Sequence, residues 1–177
     1  MGDKDRPLYD PEWVNGLIED GEKRVAYGSI AEVVAGGRYA AKLDLKAAFR
    51  SVPVHPDDRP LLGVEVDGVT LRYARLPFGL ATSPQRFCGL LARTLAKVAL
   101  PQGCALVAYV DDISVVAPDA RTCAVLMADV AHRLMEDGWR VAPAKTFARP
   151  TQRLIFLGFE VDVPGGAVAL TPSKIAK

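Results

Sequence analysis

The stretch Ala108-Tyr-Val-Asp-Asp-Ile-Ser-Val-Val-Ala117 sets two adjacent carboxylates, Asp111 and Asp112, between apolar runs rich in β-branched residues. Those runs, Cys104–Val110 and Ile113–Ala117, read as strands joined at Asp111-Asp112. Aspartate is common in turns because its side chain accepts backbone hydrogen bonds. Tight two-residue hairpins nevertheless prefer Asn-Gly or Asp-Gly, and this junction has no glycine and two like charges. At about 4 Å and an effective dielectric near 20, two carboxylates repel by roughly 4 kcal/mol. A divalent cation removes that penalty. The stretch by itself leaves both readings open, an acidic turn or a cation site.

A third carboxylate bears on the choice. Asp44 lies in Lys42-Leu-Asp-Leu45, at the end of a strand expected over Tyr39–Leu45. Alone it reads equally as a strand-end residue or a helix cap. If its strand neighbours the Asp111 strand, the carboxylates converge at one edge of a sheet. Such a hard-oxygen set suits Mg²⁺, which takes few protein ligands and completes its shell with substrate phosphates. Two ions about 3.5–4 Å apart activate an attacking oxygen and stabilise a leaving one.

The flanking sequence supplies the frame. Residues 1–24 are polar, with at most a short helix in Pro11–Glu19. Ser29–Val34 opens a helix with Ser29 as its cap, and Gly36-Gly37 ends it. Leu62–Val66 and Thr70–Arg75 flank the hairpin signal Asp67-Gly68. Ser83-Pro84 reads as an N-cap and a proline at the first helical position. Phe87, Leu90, Leu91, Leu95 and Val98 follow at helical spacing, and Pro101-Gln-Gly103 ends that helix. Pro118-Asp119 starts another helix, with Cys123, Leu126, Met127, Val130 and Leu134 as its apolar stripe and Gly138 as its stop. Trp139–Val141 and Leu154–Val163 read as further strands, with turns at Pro143 and Pro150. Strands and helices mix without strict alternation, so the expected class is α+β, a largely antiparallel sheet with helices on one face.

Bulk properties set outer bounds. A chain of 177 residues buries roughly 70% of its extended surface, enough for a core without staples. Three cysteines, Cys88, Cys104 and Cys123, and two histidines, His55 and His132, show no disulfide framework and no zinc spacing. A reducing, intracellular setting follows, cytoplasmic or nuclear. No apolar run reaches membrane-spanning length, so no membrane partner is expected. The net charge of +1 decides nothing about nucleic acid, since an acidic centre offsets a basic channel.

Five ordered segments carry a family likeness. Leu43-Asp-Leu-Lys-Ala-Ala-Phe49, continued by Val52-Pro-Val-His-Pro-Asp-Asp-Arg59, resembles the first catalytic motif of retroelement reverse transcriptases. Leu76-Pro-Phe-Gly-Leu-Ala-Thr-Ser-Pro-Gln-Arg-Phe87 resembles the second motif and Tyr109-Val-Asp-Asp112 the third. Gly138-Trp-Arg-Val-Ala-Pro-Ala-Lys145 resembles the fourth and Phe156-Leu-Gly-Phe159 the fifth. Similarity looks closest to the long-terminal-repeat and DIRS-like branches.

The resemblance implies a ferredoxin-like polymerase palm with partial fingers over residues 28–177. Residues 1–27 are then a polar segment or fingers remnant. A thumb is absent, and the thumb and RNase H belong in flanking sequence of a retroelement polyprotein. It implies RNA-directed DNA polymerisation, with an RNA or DNA template, a primer and deoxynucleoside triphosphates as partners. Two Mg²⁺ ions, with Mn²⁺ as a substitute, would be held by Asp44 and Asp111, assisted by Asp112 and the Leu45 carbonyl. The backbone of Leu45, Lys46, Ala47 and Ala48 would cradle the triphosphate. Phe49 would exclude a ribose 2′-hydroxyl, a case of selection by steric rejection. Phe78 and Gly79 would meet the nucleotide or template, and Lys145 would protonate the leaving pyrophosphate. Tyr109, Phe156, Leu157 and Gly158 would touch primer or template.

The resemblance also implies an Asp/Arg…Leu-Asn stretch and a basic fingers hairpin ahead of the first motif, and neither is found before Gly28. This shortfall keeps open a catalytically inactive, palm-derived domain that binds nucleic acid or protein. An RNA-directed RNA polymerase is a third reading, opposed by Phe49. The sequence does not specify an oligomeric state.

Overall fold

The structure, a computed structural model, describes residues 11–18, 28–35, 37–142 and 146–175. In chain order it forms α1 (Glu12–Asn15), α2 (Ile30–Ala35), β1 (Tyr39–Asp44), α3 (Ala48–Ser51), a 3₁₀ helix (Pro56–Leu61), β2 (Gly63–Val66) and β3 (Val69–Arg72). Then follow α4 (Ser83–Leu95), β4 (Ala105–Tyr109), β5 (Asp112–Ala117), α5 (Ala120–Glu136) and β6 (Phe147–Thr151). The chain ends in β7 (Arg153–Phe156), β8 (Phe159–Asp162), β9 (Ala167–Leu170) and α6 (Pro172–Ile175). It divides into two compact units, one of Met1–Val25 with Ala47–Leu90 and one of Ala26–Lys46 with Leu91–Lys177.

The second unit is built on a four-stranded antiparallel sheet in the order β4-β5-β1-β6. Because side chains alternate across a sheet, the register assigns its faces. Ala40, Lys42 and Asp44 stand opposite Val116, Ser114 and Asp112, and β4 adds Ala105, Val107 and Tyr109 to the same face. The other face carries Ala41, Leu43, Ile113 and Val115, all buried. Helix α5 packs on β1, β5 and β6. Its predicted stripe of Cys123, Leu126, Met127, Val130 and Leu134 is wholly buried.

Both ends of α5 are capped as the sequence suggested. The Asp119 carboxylate accepts the Thr122 N–H at 2.9 Å. At the other end Gly138 N–H donates to the Met135 carbonyl and Trp139 N–H to that of Leu134, the paired bonds of a Schellman stop.

The face bearing Asp44 and Asp112 is covered differently. Val33 of α2 joins Ala40, Val107, Val116, Leu154, Phe156, Val161 and Val163 in one apolar cluster. The last four come from or next to a separate three-stranded antiparallel sheet, β7-β8-β9. The expected single strand over Leu154–Val163 is therefore a hairpin, turning at Leu157-Gly158, both at positive φ (52° and 76°). Glycine takes that conformation without strain.

Three further expectations change. Pro150 lies inside β6 rather than in a turn; β6 is an edge strand, where a missing N–H breaks no ladder. Of Trp139–Val141 only Val141 makes a bridge, to Leu45. Helix α4 starts at Ser83 and stops at Leu95, short of Pro101. The Thr82 carbonyl accepts its first helical bond, while the Ser83 hydroxyl donates to the Pro77 carbonyl at 2.9 Å. Leu90 is exposed, although Phe87, Leu91, Leu95 and Val98 are buried.

In the first unit, β2 and β3 pair around Asp67-Gly68. The segment after α3 runs back along the one that precedes Pro77: Leu76 N–H donates to the Val52 carbonyl, and Val54 N–H to that of Ala74.

Candidate active site

Strand pairing brings the carboxylates together at one end of the four-stranded sheet. Asp44, the last residue of β1 and 7% exposed, stands directly opposite Asp112, the first residue of β5. Asp112 is itself paired with Tyr109, so the two-residue turn is Val110-Asp111, one residue earlier than the sequence suggested. Asp111 occupies that turn, and its carbonyl accepts the Leu45 N–H at 3.2 Å. Val110 has φ 54°. A β-branched residue in the left-handed region is a true outlier, of a kind that gathers at functional sites.

The adjoining segment is fixed to the same strand end. Ala142 N–H donates to the Asp44 carbonyl and Lys46 N–H to that of Arg140, at 2.8 and 2.7 Å. Just before it, the buried indole N–H of Trp139 donates to the Thr94 hydroxyl at 3.0 Å. Thr94 donates in turn to Asp137 at 2.6 Å, which also accepts from Lys97 at 2.7 Å. Those bonds, Lys97's first and Thr94's second, hold the Asp137 carboxyl below its ordinary range. The sequence reading missed this network, because its four members come from the C-terminal ends of two helices, α4 and α5, about 40 residues apart in the chain. Lys145, the expected acid, lies outside the described residues.

Lys42 shares the face of Asp44 and Asp112. Its Nζ stands 3.6 Å from Asp112 Oδ1, with both side chains largely buried, at 19% and 26% exposure. Among the described residues no three Asp, Glu, His or Cys side chains stand together at metal-holding spacing. The donor chemistry still fits a hard cation: carboxylates on a strand end and on the turn facing it are the oxygen ligands Mg²⁺ prefers. Beside Lys42 a cleft of about 620 Å³ is lined by Thr151, Arg153, Leu154, Val161 and Val168.

The other expected residues fall in two groups. In the first unit the half-buried Phe49 ring packs against Phe87 and Phe78, each at 5.2 Å between centroids. Phe87 is fully buried and Phe78 is 41% exposed, so the core supports Phe49 from one side. Gly79 is exposed, and so is Ala47, whereas Ala48 is buried. Asn15 was overlooked: its side-chain amide donates to the Gly79 carbonyl and accepts the Ala81 N–H, at 3.0 and 2.8 Å.

In the second unit Leu45 is buried, Lys46 is exposed, and Tyr109 is 39% exposed at the end of β4. Phe156 is fully buried in the apolar cluster, so its side chain serves the core and does not reach outward to a primer. Leu157 and Gly158 form the hairpin turn. Lys174 clamps that turn, donating to the Leu157 carbonyl at 3.0 Å and lying 4.3 Å over the Phe159 ring.

Comparison with known proteins supplies the context. The family described as "Reverse transcriptase (RNA-dependent DNA polymerase)" matches residues 14–161. The Gag-Pol polyprotein of Koala retrovirus is 32% identical over 180 residues, covering 97% of this chain and 10% of that protein. That of Gibbon ape leukemia virus is 32% identical over 181 residues, with the same coverage of each. The chain therefore spans about a tenth of the curated relatives it matches. A solved foamy viral protease-reverse transcriptase in complex with double-stranded DNA superposes with a TM-score of 0.75 at 22% identity, over 93% of this chain and 28% of that one. The same enzyme in complex with an RNA/DNA hybrid gives 0.70 at 22% identity, over 84% and 20%. These structures share the fold, an α+β polymerase palm with fingers.

Proposed function

The chain belongs to the reverse transcriptase family, and on that premise we propose that it carries the nucleotidyl-transfer centre of an RNA-directed DNA polymerase within a larger polyprotein. The observation that carries the reading is the register of β1 on β5, which sets Asp44 against Asp112 with Asp111 in the strained turn beside them. We read the first unit as fingers and the second as palm.

In this reading Asp44 and Asp111 are the principal ligands of divalent ions and Asp112 the supporting one. Mg²⁺ is the natural choice, with Mn²⁺ as a substitute. The three aspartates would hold a pair of such ions, whose chemistry would be to activate the primer's attacking oxygen and to stabilise the leaving pyrophosphate oxygen. The chain's own residues hold and select the reactants. Asp44 is fixed by its strand and by the Ala142 bond to its carbonyl. Leu45, Lys46, Ala47 and Ala48 supply backbone to the triphosphate. Phe49, backed by Phe87, presents a rigid edge that a 2′-hydroxyl would strike. Phe78 and Gly79, both exposed, face nucleotide or template, and Asn15 holds their loop in shape. Tyr109 and the Leu157-Gly158 turn meet a primer–template, which is an RNA/DNA hybrid or a DNA duplex. Lys145 protonates the pyrophosphate.

The test is primer extension on an RNA template with Mg²⁺ and deoxynucleotides, using the chain with its native flanking sequence. Asp111→Asn should reduce extension by at least about 10³-fold while leaving the melting temperature near the parent's. Equal extension by parent and variant would remove the aspartates from the reaction. Template binding without extension by the parent would point to the inactive, nucleic-acid-binding alternative.

A further inference from the structure

Resting on the reading of the aspartates as the cation site, we propose that Lys42 is a built-in, displaceable counter-ion of Asp112. It restrains the affinity of the nucleotide-free site for divalent ions.

The argument starts from the register. Lys42 precedes Asp44 by two residues and so projects from the same face of β1. The cross-strand partner of Asp44 is Asp112, and that of Lys42 is Ser114. A lysine there can reach diagonally to the next residue of β5 on its own face, and it does: Nζ lies 3.6 Å from Asp112 Oδ1. The pair is mostly buried, so water screens it less than an exposed ion pair. Ser114 cannot compete for Asp112, because its buried hydroxyl donates to the Ala41 carbonyl at 3.1 Å.

This arrangement has two effects of opposite sign on the site. Without a cation, the carboxylates of Asp44 and Asp112, opposite one another across the strand pair, repel, and Lys42 offsets part of that repulsion. With a cation, Asp112 shares its charge between the ion and Lys42 or gives Lys42 up, and in either case the ammonium stands beside a doubly charged ion. Even with water's dielectric, a unit charge about 6 Å from a divalent ion weakens its binding about tenfold. Firm loading then awaits the phosphate oxygens of an incoming nucleotide, in keeping with Mg²⁺ sites made of few carboxylates plus substrate. Lys42 is thus a positioning residue: it acts on the metal through Asp112 and touches no reacting atom.

The experiment measures Mn²⁺ binding to the nucleotide-free, template-free protein, by calorimetry and by loss of the free-ion paramagnetic signal. Lys42→Met keeps the stem that lies in the sheet and removes the charge; it should bind Mn²⁺ about tenfold more tightly than the parent. Lys42→Arg restores the charge and should return to within about threefold of the parent. The rise in melting temperature on adding Mn²⁺ should be larger for Lys42→Met than for the parent. If Lys42→Met does not fold, Lys42→Gln takes its place with the same expectation. Unchanged or weaker binding by the charge-free variant, or binding by Lys42→Arg as tight as by Lys42→Met, would overturn the proposal. Asp111→Asn separates this from the underlying reading. If it fails to weaken Mn²⁺ binding in either background, the aspartates are not the cation site. If it weakens binding while Lys42→Met changes nothing, only the counter-ion role is refuted.

Discussion

Thr94→Val tests the polar network that anchors the segment before Lys145. Thr94 is 3% exposed on α4, and its single hydroxyl accepts from the Trp139 indole and donates to Asp137. Valine keeps the shape and deletes both bonds. Depriving a buried N–H of its acceptor costs about 1–3 kcal/mol. For a chain of this size each kcal/mol shifts the melting temperature by about 2–4 °C, so a fall of about 4–8 °C is expected for about 2 kcal/mol. Calorimetry alongside circular dichroism gives the measurement and checks for a single transition. The double variant Thr94→Val, Trp139→Phe removes donor and acceptor together, and should lose less than the sum of the single changes.

The acid limb gives a second reading of the same network. The Asp137 carboxyl is held below its ordinary value of 3.8 by Lys97 and Thr94. A lowered folded pKa means that its stabilisation is complete above the unfolded value and is lost as pH falls through the folded one. The gap between parent and Thr94→Val should therefore narrow on acidification into that range. A variant melting within about 1 °C of the parent at neutral pH, with an unchanged acid limb, would show that these bonds contribute nothing to holding the segment.

Three other expectations follow from the same structure. Phe49→Ala should lower discrimination against ribonucleotides by about 10–100-fold, the scale of a lost steric contact; an unchanged ratio of kcat/KM values would take Phe49 out of that role. Asn15→Ala leaves the Gly79 carbonyl and Ala81 N–H without their side-chain partner, so hydrogen exchange over Pro77–Ala81 should quicken; unaltered protection would show that the loop holds itself. Burial, first of all, pushes the Cys123 thiol up to about 11. A raised pKa in a thiol means stability present below the unfolded value and lost as pH rises through the folded one. At pH 8 a thiol reagent should spare Cys123 until the chain unfolds, and early labelling would contradict its burial.

What could be read in the sequence was mostly what repeats or what terminates. The stripe on α5 was legible because helical spacing alone picks out Cys123 through Leu134, and its caps were legible because Asp119 and Gly138 are each suited to one end. Asp111 and Asp112 stood out because adjacent like charges flanked by apolar strand residues need an explanation. Partnerships across the chain were not legible. Asn15 reads as a polar residue in a short helix until its amide is seen on the Gly79–Ala81 backbone, 64 and 66 residues away. Phe156 looked like a primer contact because it sits in a motif, yet strand alternation puts it in the core and leaves the turn to Leu157 and Gly158. Nor was the partner of Lys42 legible, since sequence does not show which carboxylate faces it.

The hairpin turn shows why local preference misplaced the junction by one residue. With Asp111-Asp112 as the turn, the left-handed position would fall to Asp111, a residue type that adopts it more readily than valine, and the strain at Val110, about 1–2 kcal/mol, would vanish. That pairing, however, slides β4 along β5 by two residues, which keeps each side chain on its own face but sets Tyr109 instead of Val107 opposite Ser114 and Val107 instead of Ala105 opposite Val116. Tyr109, 39% exposed at the strand end, would move into the place of Val107, which is 1% exposed in the cluster with Ala40 and Val116. A tyrosine would have to enter a space shaped for valine and a valine one shaped for alanine, each an overpacking of about 1–3 kcal/mol. Packing in the body of the sheet therefore outweighs strain at its tip. The register it enforces takes Asp112 out of the turn and pairs it, as a strand residue, with Asp44. The placement of the second carboxylate follows from the burial of Val107, and the distorted valine is the local cost of that register.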